Sequence, residues 1–138
     1  MKRLALVVVV ALVGFGAAFL AFGDEARRGC VVEAPRDPSY SAEFEDPVPM
    51  GQGVHVLRVS RDGRPVTGAR VCLTVDMVGM SAMGAGEEAR EVAPGRYEVS
   101  LNLPMAGQWR GTVLVEEQGT TQEVAVPLTF EVTTGHMP

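Results

Sequence analysis

The sequence predicts an all-β domain, and three observations carry this prediction. Between residues 53 and 132, apolar and polar residues alternate with a period of two, as in strands that bury one face. Turn-forming pairs such as Asp62-Gly63 and Pro94-Gly95 separate the alternating segments. No segment of this stretch repeats its apolar residues at helical spacing. Several short strands joined by such turns favour an immunoglobulin-like β-sandwich of about seven strands.

The N-terminal residues form a separate apolar segment. Residues 4–22 are nineteen uncharged residues that follow the basic pair Lys2-Arg3. At about 1.5 Å per residue, such a helix crosses a hydrocarbon core of about 30 Å. The segment also fits a signal peptide that is cleaved before Asp24. Residues 1–23 are therefore predicted to be a transmembrane anchor or signal helix, and the domain is expected on the extracytoplasmic side of the cell membrane.

The rest of the chain divides into a linker, a strand-rich region and a tail. Residues 24–52 are rich in Pro, Asp and Ser and predict an extended linker, with at most a short strand at residues 41–45. Residues 53–132 form the predicted sandwich, and residues 133–138 form a C-terminal tail. The predicted strands cover residues 53–60, 68–77, 96–105, 108–116 and 123–132. Met105, the last residue of the third strand, is in phase with its apolar set and is expected to face inward.

Four residues of these strands carry specific expectations. Trp109 is in phase with the apolar set of its strand and is predicted to lie in the core. Tyr97 follows the Pro-Gly turn, and its hydroxyl is expected to hold the backbone there. His55 is expected to be partly buried at a strand end and bonded to backbone, with a role as a ligand as the alternative. Pro127 predicts an edge position or a bulge in the last strand.

The two cysteines, Cys30 and Cys72, are predicted to form one disulfide, because the compartment is oxidising. A joint metal site and free thiols are the alternatives. Cys72 is out of phase with the core set, so the linker must fold back over the outer face for Cys30 to reach it. The bridge would close a loop of about 42 residues and stabilise the fold by about 3–4 kcal/mol.

Charge and motif content exclude several functions. The net charge is −5 and no basic stripe is present, which excludes nucleic acid as a partner. The chain has two histidines, no nucleophile beside a base in a recognisable motif, and no Gly-rich phosphate loop. The protein is therefore not expected to be an enzyme.

Several short motifs resemble the YtkA-like/FixH family over about residues 50–132. They are Gly63-Arg64-Pro65-Val66, Gly68-Ala69-Arg70-Val71, Met77-Val78-Gly79-Met80 with Met83, Pro94-Gly95-Arg96-Tyr97 and residues 103–109, LPMAGQW. The resemblance implies a small extracytoplasmic immunoglobulin-like domain, often membrane-anchored. It further implies copper handling or a part in the assembly of copper-containing respiratory oxidases, although copper-binding members carry histidine close to the methionine run and this chain does not.

The methionines are the candidate ligands. Met80 and Met83 follow Met77 at intervals of three between two predicted strands, and Met105 and His136 could lie nearby. Thioethers are soft donors that select Cu(I) over harder ions. In the alternative, Met77 plugs the core and Met80 and Met83 form a flexible apolar lid.

Two functional hypotheses follow from the sequence. In the first, a membrane-anchored binding module of the YtkA-like/FixH type handles Cu(I) through loop methionines, for respiratory oxidase assembly or copper homeostasis, with a copper-receiving oxidase subunit as partner. In the second, the domain is a metal-free structural or protein-interaction domain that contacts another protein of the cell envelope.

Overall fold

The computed structural model describes residues 34–120 and 122–135, with only the backbone course for residues 81–85. The predicted anchor or signal segment, Cys30 and His136 lie outside the described residues. Across the described ranges no helix is long and apolar enough to cross a membrane.

The described residues are all-β, which confirms the predicted fold class. The strands are β1 Tyr40–Phe44, β2 Val48–Pro49, β3 Gly51–Arg61, β4 Arg64–Pro65, β5 Arg70–Met77, β6 Met80–Ala93, β7 Arg96–Leu103, β8 Gly107–Glu116 and β9 Glu123–Thr133. Seven of them have five residues or more, and β2 and β4 have two each. The immunoglobulin-like topology remains a prediction.

The strands form one hydrogen-bonded path that nearly closes on itself. Its order is β1-β3-β7-β6-β5-β8-β9-β2, with β4 beside β3. Strand β6 joins the two halves, since it pairs with β5 up to Ala89 and with β7 from Arg90 onward. Strands β1 and β9, near the two ends of the path, contact each other. The inward faces of both halves therefore surround one core.

The core contains the alternating residues of β3, β5, β7, β8 and β9. Trp109 is 1% exposed, as predicted, and lies among the inward-facing residues of its neighbours. The largest fully buried side chains besides it are Tyr97, Leu57, Leu73, Leu101 and Leu103. Burying this apolar surface is the main stabilising contribution to the fold.

The outer edge of β9 is covered at both ends by the segment that precedes β3. The amide of Ala125 donates to the carbonyl of Pro35 at 2.9 Å, and β2 pairs in parallel with Val132 and Thr133. Amide directions alternate along a strand, so the nitrogen of Pro127 points to the same outer edge as the amide of Ala125. No described strand pairs with β9 at this position, so the N–H group that proline lacks is not needed there. The edge position predicted for Pro127 is confirmed.

Strand β6 is absent from the sequence-based prediction, which placed its methionines in a loop. Gly84, Ala85 and Gly86 have low β propensity and no alternating pattern, so nothing local indicates a strand. The exposed edge of β5 supplies the hydrogen-bond partners that extend this segment. Tertiary pairing overrides the local sequence here.

Candidate functional site

Met77 and Met80 close a tight hairpin between β5 and β6. They are register partners, and only Val78 and Gly79 lie between them. Gly79 has φ of +85°, a conformation that side chains disfavour and that suits the second central position of this turn. The amide of Val78 donates to the carbonyl of Gln108 at 3.1 Å, which fixes the hairpin against β8.

A register shift follows directly after Met80. Met77 pairs with Met80, but Asp76 pairs with Gly84, so residues 81–83 have no partner on β5. Met83 lies in this insertion, at a bulge in a strand rather than in the free loop that the sequence predicted. The side chain of Met83, a predicted ligand, lies outside the described part of the structure.

Met105 lies beside this hairpin through contacts with Trp109. The indole Nε1 of Trp109 donates to the carbonyl of Met105 at 3.1 Å, and Trp109 is the register partner of Met77 on the neighbouring strand. Met105 was predicted to face inward but is 40% exposed, since β7 ends at Leu103 and Pro104 cannot donate to a ladder.

These three methionines and Val78 define a surface that we call the methionine end: Met77, Val78, Met80 and Met105. Met77 is partly buried and packs against the core, and its methyl carbon lies 2.9 Å from where a Cβ on Gly107 would stand. Met80 is 44% and Val78 45% exposed. Val78 was not predicted to be part of a site, although the second residue of a Met-Val-Gly-Met turn between alternating strands is expected to be exposed.

The donors at the methionine end are thioethers. Among the residues that the structure describes, no group of three or more His, Cys, Asp or Glu side chains could hold a metal ion. Soft sulfur donors with exposed surface suit a soft monovalent ion better than Mg²⁺, Ca²⁺ or Zn²⁺. His136, the remaining predicted ligand, lies beyond the last described residue, Gly135.

His55 lies on the inward face of β3 and differs from its prediction. Its Nε2 is buried and has no hydrogen-bond partner among the described residues, so the expected bond to backbone is wrong for this atom. Burial lowers the pKa of the imidazole below its ordinary value. The ring of Phe44 meets it edge-on, with centroids 5.9 Å apart.

The opposite end of the sheet, the tyrosine end, consists of Val66, Ala69, Gly95 and Tyr97. The Tyr97 hydroxyl donates to the carbonyl of Val66 at 2.8 Å and accepts from the amide of Ala69 at 3.3 Å, as predicted for this corner. Tyr97 is fully buried, and burial raises its pKa to about 12. Its hydroxyl therefore stays protonated and holds the chain between β4 and β5.

Cys72 lies on the outer face of β5, away from the core, as its phase predicts. It is 5% exposed because it forms a small second cluster with Leu114 and Ala125, and Ala34 packs against that cluster. Register places these three residues in one row across β5, β8 and β9. The described segment before β1 thus reaches the end of this row, while Cys30 lies outside the described residues.

Comparison with known proteins gives one family. The profile of the YtkA-like family matches residues 37–114, which is more than half of the chain and runs from just before β1 to within β8. No protein among the curated proteins matches the chain. The match includes the Met77–Met80 hairpin, Met105 and the Tyr97 corner. The chain belongs to the YtkA-like family.

Proposed function

We propose that this protein is an extracytoplasmic binding module that takes up Cu(I) at the methionine end. One observation carries the proposal: register and hydrogen bonds gather Met77, Met80 and Met105 at one end of the sheet, and two of them keep 44% and 40% of their surface exposed. A group of exposed apolar side chains at one place on a surface marks a binding site more often than single exposed residues do. An extracytoplasmic ion acceptor needs such accessible soft donors.

The proposed ligand set is Met80, Met83 and Met105, with His136 from the tail. The tail starts close to this end, since Val132, the residue before Thr133, is the register partner of Gly107, beside which the methyl group of Met77 lies. Membrane attachment through residues 1–23 and delivery to an oxidase subunit extend the proposal. They are supported by the apolar leader and by the resemblance to the FixH type.

A Cu(I) titration of the full chain, made anaerobically against a competing chelator, tests the proposal. The double variant Met80→Leu/Met83→Leu should lose most of the affinity, because leucine keeps the apolar volume but removes the sulfur. Met50→Leu is the matched control, since Met50 is 45% exposed but lies outside the proposed ligand set. Identical binding by the double variant and the wild-type protein would remove these thioethers from the site.

The second candidate is a metal-free interaction domain, and Val78 favours it. A valine cannot bind a metal, yet it is 45% exposed between two methionines. A photo-crosslinking residue at position 78 should then capture a defined envelope protein in intact cells. The same residue at Val92, which is 43% exposed at the other end of β6, should not. Equal capture at both positions would contradict a specific surface.

We also propose the Cys30–Cys72 disulfide. From β9 to β5 is two strand spacings, about 10 Å, and the four residue steps from Ala34 to Cys30 span up to about 13 Å. The row of Ala125, Leu114 and Cys72 gives that segment an apolar path across the sheet. Cys30→Ser should lower the free energy of unfolding by about 3–4 kcal/mol. A reductant should give the same loss in the wild-type protein and none in the variant; an equal effect on both would rule the bridge out.

A further inference from the structure

The sheet closes between β1 and β9 through aromatic side chains. Strand β1 pairs only with β3, and β9 pairs with β8 and β2, so no described ladder joins β1 to β9. The rings of Phe44 on β1 and Phe130 on β9 meet instead, with centroids 4.8 Å apart and an interplanar angle of 71°. We call this Phe44–Phe130 contact the seam.

His55 lies directly behind the seam. It packs its ring against Phe44 and shares the inward face of β3 with Leu57 and Val59. Its Nε2 lies beside Gly53, 3.2 Å from where a Cβ would stand there, so the ring packs where a larger residue at position 53 would crowd it. Neutral imidazole tolerates such surroundings far better than imidazolium, whose two N–H groups both need acceptors.

Among the described residues, no charged group on the neighbouring strands faces His55. Glu43 on β1, Glu98 on β7 and Glu131 on β9 each alternate with an inward-facing neighbour, so they point to the outer face, and Arg58 on β3 does the same. In the bend that follows β1, Glu45 pairs with Arg96 and Asp46 is exposed to solvent. Burial is correspondingly the sole cause of the lowered pKa of His55.

We propose that protonation of His55 opens the seam between β1 and β9. A charged ring against Phe44 has no counterion and no acceptor for Nε2 among the described residues. If the ring moves into water, water molecules accept its hydrogen bonds and dissolved ions balance its charge. Moving it displaces Phe44, which releases Phe130 and the contact that closes the sheet. Because the pairing of β5 with β8 does not involve these side chains, opening leaves that ladder intact.

The direction of the pH dependence follows from linkage. The closed state holds His55 with a lowered pKa, so the open state binds the proton more readily. The free-energy difference that favours the closed state is therefore largest above the ordinary histidine pKa, and it decreases as the pH falls below about 6.5. Between pH 7.5 and pH 5.0 the open population should rise by at most about 30-fold.

Amide hydrogen exchange on the full chain tests this inference. Once Phe44 leaves Phe130, only the ladder with β3 holds β1, and this edge strand opens more often. Protection factors in β1, corrected for the intrinsic rate, should therefore fall by up to about 30-fold between pH 7.5 and pH 5.0, whereas those of β5 and β8 should not change. His55→Phe should abolish the difference. His136→Gln, which alters the chain's other histidine, should retain it.

Three results would overturn the inference. One is equal loss of protection across all strands, which indicates global destabilisation instead of seam opening. Another is the same pH response in His55→Phe as in the wild-type protein, with His55→Leu as a second variant if the first fails to fold. The third is a pKa of 6.5 or higher for His55, measured by NMR in the folded protein.

Discussion

The two ends of the sheet are closed by different interactions. At the tyrosine end, a buried hydroxyl bonds two segments of backbone, and Gly95 packs so tightly that an added Cβ would stand 2.7 Å from Cβ of Pro65. At the methionine end, exposed apolar side chains cover the core and a three-residue insertion relaxes the ladder. Packing is tight and backbone-bonded at the tyrosine end, whereas the methionine end keeps apolar surface exposed.

The largest expected difference between the ends comes from two glycines with positive φ. Gly95→Ala should lower the free energy of unfolding by about 2–5 kcal/mol, because it combines left-handed strain with a clash against Pro65. Gly79→Ala at the methionine end meets nothing within 4 Å and should cost only the strain, about 1–2 kcal/mol. Urea unfolding followed by the fluorescence of Trp109 measures both. If the two variants lost the same free energy of unfolding, the two ends would not differ in how tightly they are packed.

A smaller effect should follow from removing one hydroxyl. Tyr97→Phe leaves the buried carbonyl of Val66 without this donor, which should cost about 1–3 kcal/mol. The raised pKa of about 12 adds a pH dependence, because unfolded tyrosine ionises near pH 10 while the folded side chain stays neutral. The contribution of Tyr97 to the free energy of unfolding is thus fully present below pH 10 and is lost as the pH rises towards 12.

The Tyr97→Phe variant should lose most of this alkaline effect. Tyr40→Phe is the comparison variant: burial raises the pKa of Tyr40 as well, but Tyr40 is only partly buried, so this variant should keep most of the alkaline loss. Unfolding curves at pH 8 and pH 11 compare the three proteins. An alkaline loss that persists in Tyr97→Phe would assign it to another group.

The smallest expected effect is at the methionine end. Met80→Leu/Met105→Leu should change the free energy of unfolding by less than about 0.5 kcal/mol, since both side chains are substantially exposed and the replacement is nearly isosteric. The same substitutions should weaken Cu(I) binding. A loss above 2 kcal/mol would mean that these methionines serve the core, as in the lid interpretation.

Alternation and turn chemistry predicted most of the fold. Tyr97 and Trp109 were placed correctly because each lies in a strand with a clear period of two, beside a Gly or Pro turn. Strand β6 could not be predicted, because Gly84 to Gly86 extend only when β5 lies beside them. Met105 was placed inward by extending the alternation past Pro104, where the strand ends.

The site was less predictable than the fold. Its residue types follow from the sequence, but their position depends on a two-residue turn and a register shift that residue identity does not determine. The unpartnered Nε2 of His55 was missed for a similar reason. Phe44 and Phe130, which close the seam beside it, come from strands 11 and 75 residues away in the chain.

The insertion between Met80 and Gly84 separates the hairpin from the rest of its strand. A change of one residue in an ordinary ladder would reverse every later side chain, but here the ladder resumes at Gly84 after three residues that have no partner on β5. Length variation at residues 81–83 should thus be tolerated without repacking the core. Engineered loops of other composition could be grafted there, with the remaining strands serving as a fixed scaffold.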